Sequence, residues 1–265
     1  MNFDHERVVV YKNLARFFGL NPPVANIGYF IHYNEEFKTL LNELKRLELI
    51  IAGGTIISAF TANKINDLDF YMKDPSKADE IQEFLLKTFN HGEPFYSENA
   101  VTYKRKAEGS NKVYTVQLIK AFSGTPEEVM DWFDFTITQG AFDFTTNEFV
   151  LGKRFLADNA KRTLVFCGKS KYPICALYRT KKYMERGYTC PGSTLMHIAL
   201  GVVQLDIRTY ADLKKQLMGV DTMYLQGLLS KAEYDEKLPV DYGKFVSEVF
   251  DYMSGIQSPD PEANE

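Results

Sequence analysis

The 265-residue sequence has no apolar run of the eighteen or more residues that a membrane-crossing helix requires. Its first thirty residues show no positively charged start followed by an apolar stretch and a small-residue cleavage site. The expectation is a cytoplasmic chain with no membrane span. Cysteine is scarce: Cys167, Cys175 and Cys190 are an odd number and form no Cys-x-x-Cys pair. That excludes a disulfide scaffold and a cysteine-only zinc site. The four histidines (His5, His32, His91, His197) are scattered, and no Ser-His-Asp or Cys-His arrangement can be built from them. Excess positive charge is absent too. Lys and Arg number 31 against 35 Asp and Glu, a net charge of −4, which argues against a polybasic binder while leaving room for a local basic face. No repeat of 20 to 50 residues is visible.

What is present is ordinary globular composition, 45% apolar and 25% charged, in a chain long enough to bury a large core. The charge is uneven. Between Lys153 and Tyr188 ten basic residues face only Asp158 and Glu185, so a +8 block sits in a chain that is −12 elsewhere. Such a block suits phosphate groups or is simply a solvated face with counter-charges packed from elsewhere.

Hydrophobic spacing predicts helices over 1–20 and 35–48, the second capped by Asn34. A short buried strand, Leu49–Ala52, runs into Gly53-Gly54 and a helix over 55–62. Asp67–Met72 alternates as a strand, and Ser76 opens a helix running to Phe89. Strands follow near 100–105 and 112–120, then a short acidic helix at 126–130 capped by Thr125 and a mixed stretch over 133–151. Beyond about residue 170 the strand signal fades, and 173–187, 191–206, 209–218, 221–231 and 241–254 all read helical. Residues 255–265 have the composition of a disordered tail. The expected fold is α+β: a mixed-sheet head over 1–168 and a helical body over 169–265.

The chemistry concentrates at Gly53-Gly54, twelve residues, then Asp67-Leu68-Asp69. A strand ending in two glycines lets backbone approach a ligand closely, so Gly53, Gly54 and Thr55 are candidates for cradling phosphates. Residues two apart on a strand share a face, so Asp67 and Asp69 are candidate Mg²⁺ (or Mn²⁺) ligands. Lys104, Arg105 and Lys120 lie on or near strands, where they either reach a triphosphate or remain exposed strand cations. Arg179 and Lys182 lie three apart on one helical face, with Arg186 extending a basic stripe.

This pattern resembles the nucleotidyltransferase superfamily. A second segment, Asp134-Phe135-Thr136-Ile137-Thr138, is similar to the Arg-Arg-Asp-Phe-Thr-Ile segment of class II tRNA nucleotidyltransferases and poly(A) polymerases. A third, Leu177 to Tyr188, resembles the helix that follows their head, so the likeness spans about 48–190. Trp132 and Phe133 stand in place of the two arginines, and Gln117 stands near the family's third carboxylate, a role for which Asp131 and Asp134 are the alternative candidates. Pro173 and Ala176 stand roughly where the family's base-reading Asp and Arg lie. The resemblance implies a Mg²⁺-dependent enzyme that moves a nucleoside monophosphate from an NTP such as ATP to a hydroxyl acceptor, releasing pyrophosphate. Asp67 and Asp69 would hold the metal, Asp134 would lie near the ribose, and Arg179 and Lys182 would neutralise phosphate charge. The implied acceptor is an RNA 3′ end, such as that of tRNA. Two alternatives stand beside it: nucleotidylation of a protein or small molecule, and a head that has lost catalysis and serves as a binding module.

Overall fold

The structure is a computed structural model that describes residues 3–25, 31–89, 92–107, 111–217 and 237–244. The chain divides into two compact units, one of residues 1–169 with 187–191, the other of 170–186 with 192–265. The first is the α+β head. It opens with α1 (Asp4–Phe18), whose buried stripe is Val10, Tyr11, Leu14, Ala15, Phe17 and Phe18. Two short strands, β1 (Val24–Ala25) and β2 (Ile31–His32), pair antiparallel. Helix α2 (Glu35–Arg46) starts where expected, with Asn34 Oδ1 accepting from the Phe37 N–H at 2.8 Å.

Strand β3 (Leu49–Ala52), helix α3 (Gly54–Phe60) and strand β4 (Asp67–Met72) follow. Helix α4 (Ala78–Thr88) is preceded by a 3₁₀ turn at Pro75–Lys77. Here the expected cap is corrected: Asp74 Oδ1 accepts from the Ser76 N–H, so the aspartate caps the start of the turn and Ser76 lies within it. Strands β5 (Phe95–Tyr96), β6 (Ala100–Lys106) and β7 (Val113–Ser123) lead to α5 (Pro126–Met130), which Thr125 and Glu128 close as a reciprocal capping box. The mixed stretch resolves into a 3₁₀ turn at Thr136–Thr138, β8 (Gly140–Asp143) and β9 (Glu148–Leu151). Helix α6 (Phe155–Ala160), which periodicity had not marked, completes the head.

Seven strands form one sheet in the order β5-β6-β7-β4-β3-β8-β9. Only β4 and β7 run parallel, and the other neighbours are antiparallel, so the sheet is mixed. The alternation of β4 sorts its residues between two faces. Leu68 and Phe70 are fully buried, and the Phe70 ring meets Phe18 of α1. Asp67, Asp69 and Tyr71 point the other way.

The second unit holds α7 (Pro173–Glu185), α8 (Gly192–Val203) and α9 (Tyr210–Gln216), three of the five expected helices. Its core joins Tyr210, Leu213 and Leu217 to Ile174, Tyr178, Ile207 and Val240. The expected helix at 221–231, most of that at 241–254, and the tail at 255–265 lie outside the described residues.

Candidate active site

Strand β3 is buried along its whole length and ends at Gly53, whose φ of 73° and ψ of −125° are open only to glycine. The turn is held on both sides. Gly53 N–H donates to the Gly140 carbonyl of β8 at 2.9 Å, and the Gly53 carbonyl accepts from the Ile56 and Ile57 N–H groups. Gly54 differs, because a Cβ built there meets nothing within 4 Å. Thr55 is 2% exposed, and its Oγ1 donates to the Asp67 carbonyl at 3.1 Å. That bond ties the glycine corner to the first residue of β4.

Asp67 and Asp69 share the face of β4 opposite the helix-covered core, and both are half-buried. On β7, Thr115 lies in register with Asp67, and Gln117 with Asp69. On β6, Lys104 pairs with Thr115, and Thr102 with Gln117. Two cross-strand rows result: Asp67–Thr115–Lys104 and Asp69–Gln117–Thr102. Gln117 is 9% exposed, and its Nε2 donates to Thr102 Oγ1 at 3.0 Å. The amide therefore occupies the position beside Asp69 that a third carboxylate would need. Asp131 does not replace it, being an exposed partner of Lys169 at 3.5 Å. Among the described residues no group of three or more His, Cys, Asp or Glu side chains is placed to hold a metal. Two carboxylates on one face still suit Mg²⁺, which commonly takes one or two protein carboxylates and completes its shell with water and substrate phosphate.

The alternation also separates two cations that sequence reasoning treated together. Lys104 lies on the face of the acids, whereas Arg105 is 8% exposed on the other face, bonded to the end of α1. Arg105 is thereby removed from the triphosphate candidates. Phe133 closes the corner, its ring 3.8 Å from a Cβ built at Gly53 and 5.9 Å from the Tyr71 ring. Trp132 is exposed and stacks on Phe122. Asp134 is 6% exposed, and its carbonyl accepts from the Cys167 N–H. Burial, with the carboxylates of Asp134, Asp131 and Asp158 adding to it, pushes the Cys167 thiol up to about 12, so it stays protonated.

Residues 29–162, half of the chain, match the family described as Gabija anti-defense 2 family protein. The chain belongs to the Gabija anti-defense 2 family. A protein named Gabija anti-defense 2 from Bacillus phage SPbetaL7 is 36% identical over 182 residues, 68% of this chain and 44% of that relative. The chain thus spans less than half of the relative's length. Solved chains with a similar outline include the Thermotoga maritima CCA-adding enzyme complexed with tRNA (14% identity, TM-score 0.47, 84% of this chain and 58% of that one). They also include a CCA-adding enzyme complexed with ATP (14% identity, TM-score 0.49, 84% and 57%) and an apo form (13%, TM-score 0.49, 87% and 57%). At such identities the likeness concerns the fold alone.

The stretch that matches the Gabija anti-defense 2 family contains Gly53, Gly54, Thr55, Asp67, Asp69, Gln117 and Asp134. Arg179 and Lys182 lie beyond it, half-buried on α7 of the second unit. Part of the basic block proves to be paired: Arg154 with Asp158, Lys169 with Asp131 and Lys181 with Glu185.

Sequence reasoning missed Asp158, which anchors the segment after Asp134. It is 3% exposed, and it accepts from Thr136 Oγ1 at 2.5 Å and from Arg154 Nε and Nη2 at 2.9 and 3.0 Å. The readable signal was the Arg154/Asp158 spacing of one helical turn. Burial raises the Asp158 carboxyl, but the bonds from Arg154 and Thr136 outweigh it and hold the group below the usual carboxylate range. A depressed folded-state value stabilises fully above the unfolded carboxylate range, about pH 4, and is lost as pH falls through the folded value. Asp158→Asn is accordingly expected to flatten the acid limb of stability against pH, measured by urea unfolding between pH 7 and the acid transition. An acid limb identical to wild type counts against the assignment.

Proposed function

We propose that this chain is a divalent-metal-dependent nucleotidyltransferase that serves the anti-defense role stated in its relative's name. The observation that carries the reading is the placement of Asp67 and Asp69 on one face of β4, joined through Thr55 to the Gly53-Gly54 corner. In the reaction an acceptor hydroxyl attacks the α-phosphorus of an NTP, the bond between the α- and β-phosphates breaks, and pyrophosphate leaves. Asp67 and Asp69 would hold Mg²⁺ or Mn²⁺, which when bound supplies positive charge at the phosphates and a more acidic acceptor hydroxyl.

The remaining work falls to the chain's own groups. Gly54 leaves room for a phosphate to lie against the backbone. Lys104, two strands from Asp67 in the same row, supplies charge to the phosphates. Asp134 is assigned to the ribose on the motif likeness alone. Gln117 cannot accept a proton, so the hydroxyl proton passes to one of the two carboxylates or to water.

We assign the acceptor first to an RNA 3′ end, such as that of tRNA, because of the motif likeness. A second acceptor, a hydroxyl on a protein of the Gabija defence, is favoured by the relative's name. Incubation with each α-³²P-labelled NTP, Mg²⁺, total RNA and a lysate carrying the defence system separates them. Label in RNA supports the first, and label in a protein band supports the second. Label in neither, from a folded chain, removes the enzymatic reading and leaves a binding module.

The two glycines make a sharper test. Gly54→Ala adds a Cβ into open space, so its melting temperature should match wild type while transfer falls at least tenfold. Gly53→Ala strains the backbone and should destabilise by about 1–3 kcal/mol. If Gly54→Ala transfers label at the wild-type rate, the phosphate cradle is misplaced.

A further inference from the structure

On the face of the sheet away from the acids, a cavity of about 600 Å³ opens at the C-terminal end of α1. Among the described residues its lining is Lys12, Arg16, Gly19, Leu20, Pro22, Arg105, Ala107 and Tyr114, with three cations and no acid. Lys12 and Arg16 lie one turn apart on α1, both exposed, and among the described residues neither has an ion-pair partner. Arg105 supplies the floor. Its Nε and Nη2 are bonded to the carbonyls of Phe17 and Arg16, while Nη1 lies at Gly19, 3.0 Å from where a Cβ would stand. Gly19 has φ +73° and no side chain, so this nitrogen faces a wall of the cavity that another residue would fill. A fourth cation stands close by, Lys112 Nζ lying 4.4 Å from the Tyr114 ring centroid.

Cations gathered on one concave wall repel each other, and an anion relieves that repulsion. A guanidinium with a free edge, flanked by flexible cations, suits phosphate oxygens. Leu20, Pro22 and the Tyr114 ring add apolar wall of the kind a sugar or base packs against.

We infer that this cavity is a second phosphate-binding site, separate from the acid pair, that takes the phosphate of a nucleotide. The nucleotide is either free or part of an RNA chain. Calorimetric titration of the full chain in EDTA, with AMP in one arm and a short oligoribonucleotide in the other, tests it. EDTA removes the divalent ion that the acid face would require. Saturable binding is expected in one arm, and the arm identifies the source. Lys12→Glu/Arg16→Glu should weaken it at least tenfold, with the affinity of wild type falling steeply as salt rises. Asp67→Asn/Asp69→Asn should bind as wild type, which keeps this site distinguishable from the proposed catalytic one. Should the charge-reversed chain melt differently, Lys12→Ala/Arg16→Ala gives the same reading. Equal binding by the cavity variants and wild type, loss of binding in the acid-pair variant, or no binding of either probe at millimolar concentration overturns the inference.

Discussion

Replacing Asp67 and Asp69 together by Asn is expected to reduce label transfer from NTP by about 10³-fold or more, since metal charge at a transferring phosphoryl group contributes several kcal/mol. The fold should not suffer. The two carboxylates sit half-buried on one face, two residues apart, and like charges there oppose each other. Asparagine keeps the shape and removes the repulsion, so the melting temperature of the double variant should equal or exceed that of wild type. A second readout is independent of turnover. Mg²⁺ bound by the folded chain raises its melting temperature by mass action, and the double variant should show no such rise. Transfer that survives in the double variant, or a Mg²⁺ shift that persists in it, would remove the acid pair from the mechanism. Loss of transfer together with loss of the fold is distinguished by the melting curve itself.

Arg105→Ala should destabilise the head by about 3–5 kcal/mol. The side chain is 8% exposed and donates to the Phe17 carbonyl at 2.8 and 2.5 Å and to the Arg16 carbonyl at 2.9 Å. These carbonyls belong to the last turn of α1, where intrahelical donors run out, so a guanidinium there both bonds them and meets the negative end of the helix dipole. The group also lies 5.1 Å from the Tyr114 ring centroid and 5.9 Å from that of Phe89. Alanine removes the donors from those oxygens and the charge from the helix end, and enlarges the adjoining cavity. Lysine keeps the charge but not the fork, so Arg105→Lys should lose less than Arg105→Ala and more than nothing. Urea unfolding measures both, and a loss under about 1 kcal/mol for Arg105→Ala contradicts this account.

The two predictions concern β4 and β6, which flank β7, and opposite faces of the sheet, and they mark what the sequence shows and what it does not. Elements carried by local rules were legible. The apolar spacing of α1 and α2, the Asn34 and Thr125 caps, and the alternation that opens Asp67–Met72 each depend on residues within a turn or two of each other. The Gly-Gly corner and the Asp-x-Asp strand were legible for the same reason, as was the likeness they share with nucleotidyltransferases. The cap of the turn before α4 was misread because Asp74 and Ser76 offer the same chemistry two residues apart, and only the backbone path selects between them. Helix α6 was missed because its six residues are too short for a helical period to show.

Strand pairing was beyond the sequence, since register depends on partners distant along the chain. Register puts Gln117 beside Asp69 and Lys104 in the row of Asp67, and sends Arg105, one residue on, to the opposite face. Tertiary packing likewise set Phe133 against Gly53 and brought Asp158 to Thr136 across 22 residues. Alone, the sequence determined which short segments form helices and strands and which carry acids, glycines and cations, because propensity, capping and periodicity act within a few residues. The folded chain decided which of those groups share a face, because that depends on how one strand's pleat lines up with the next.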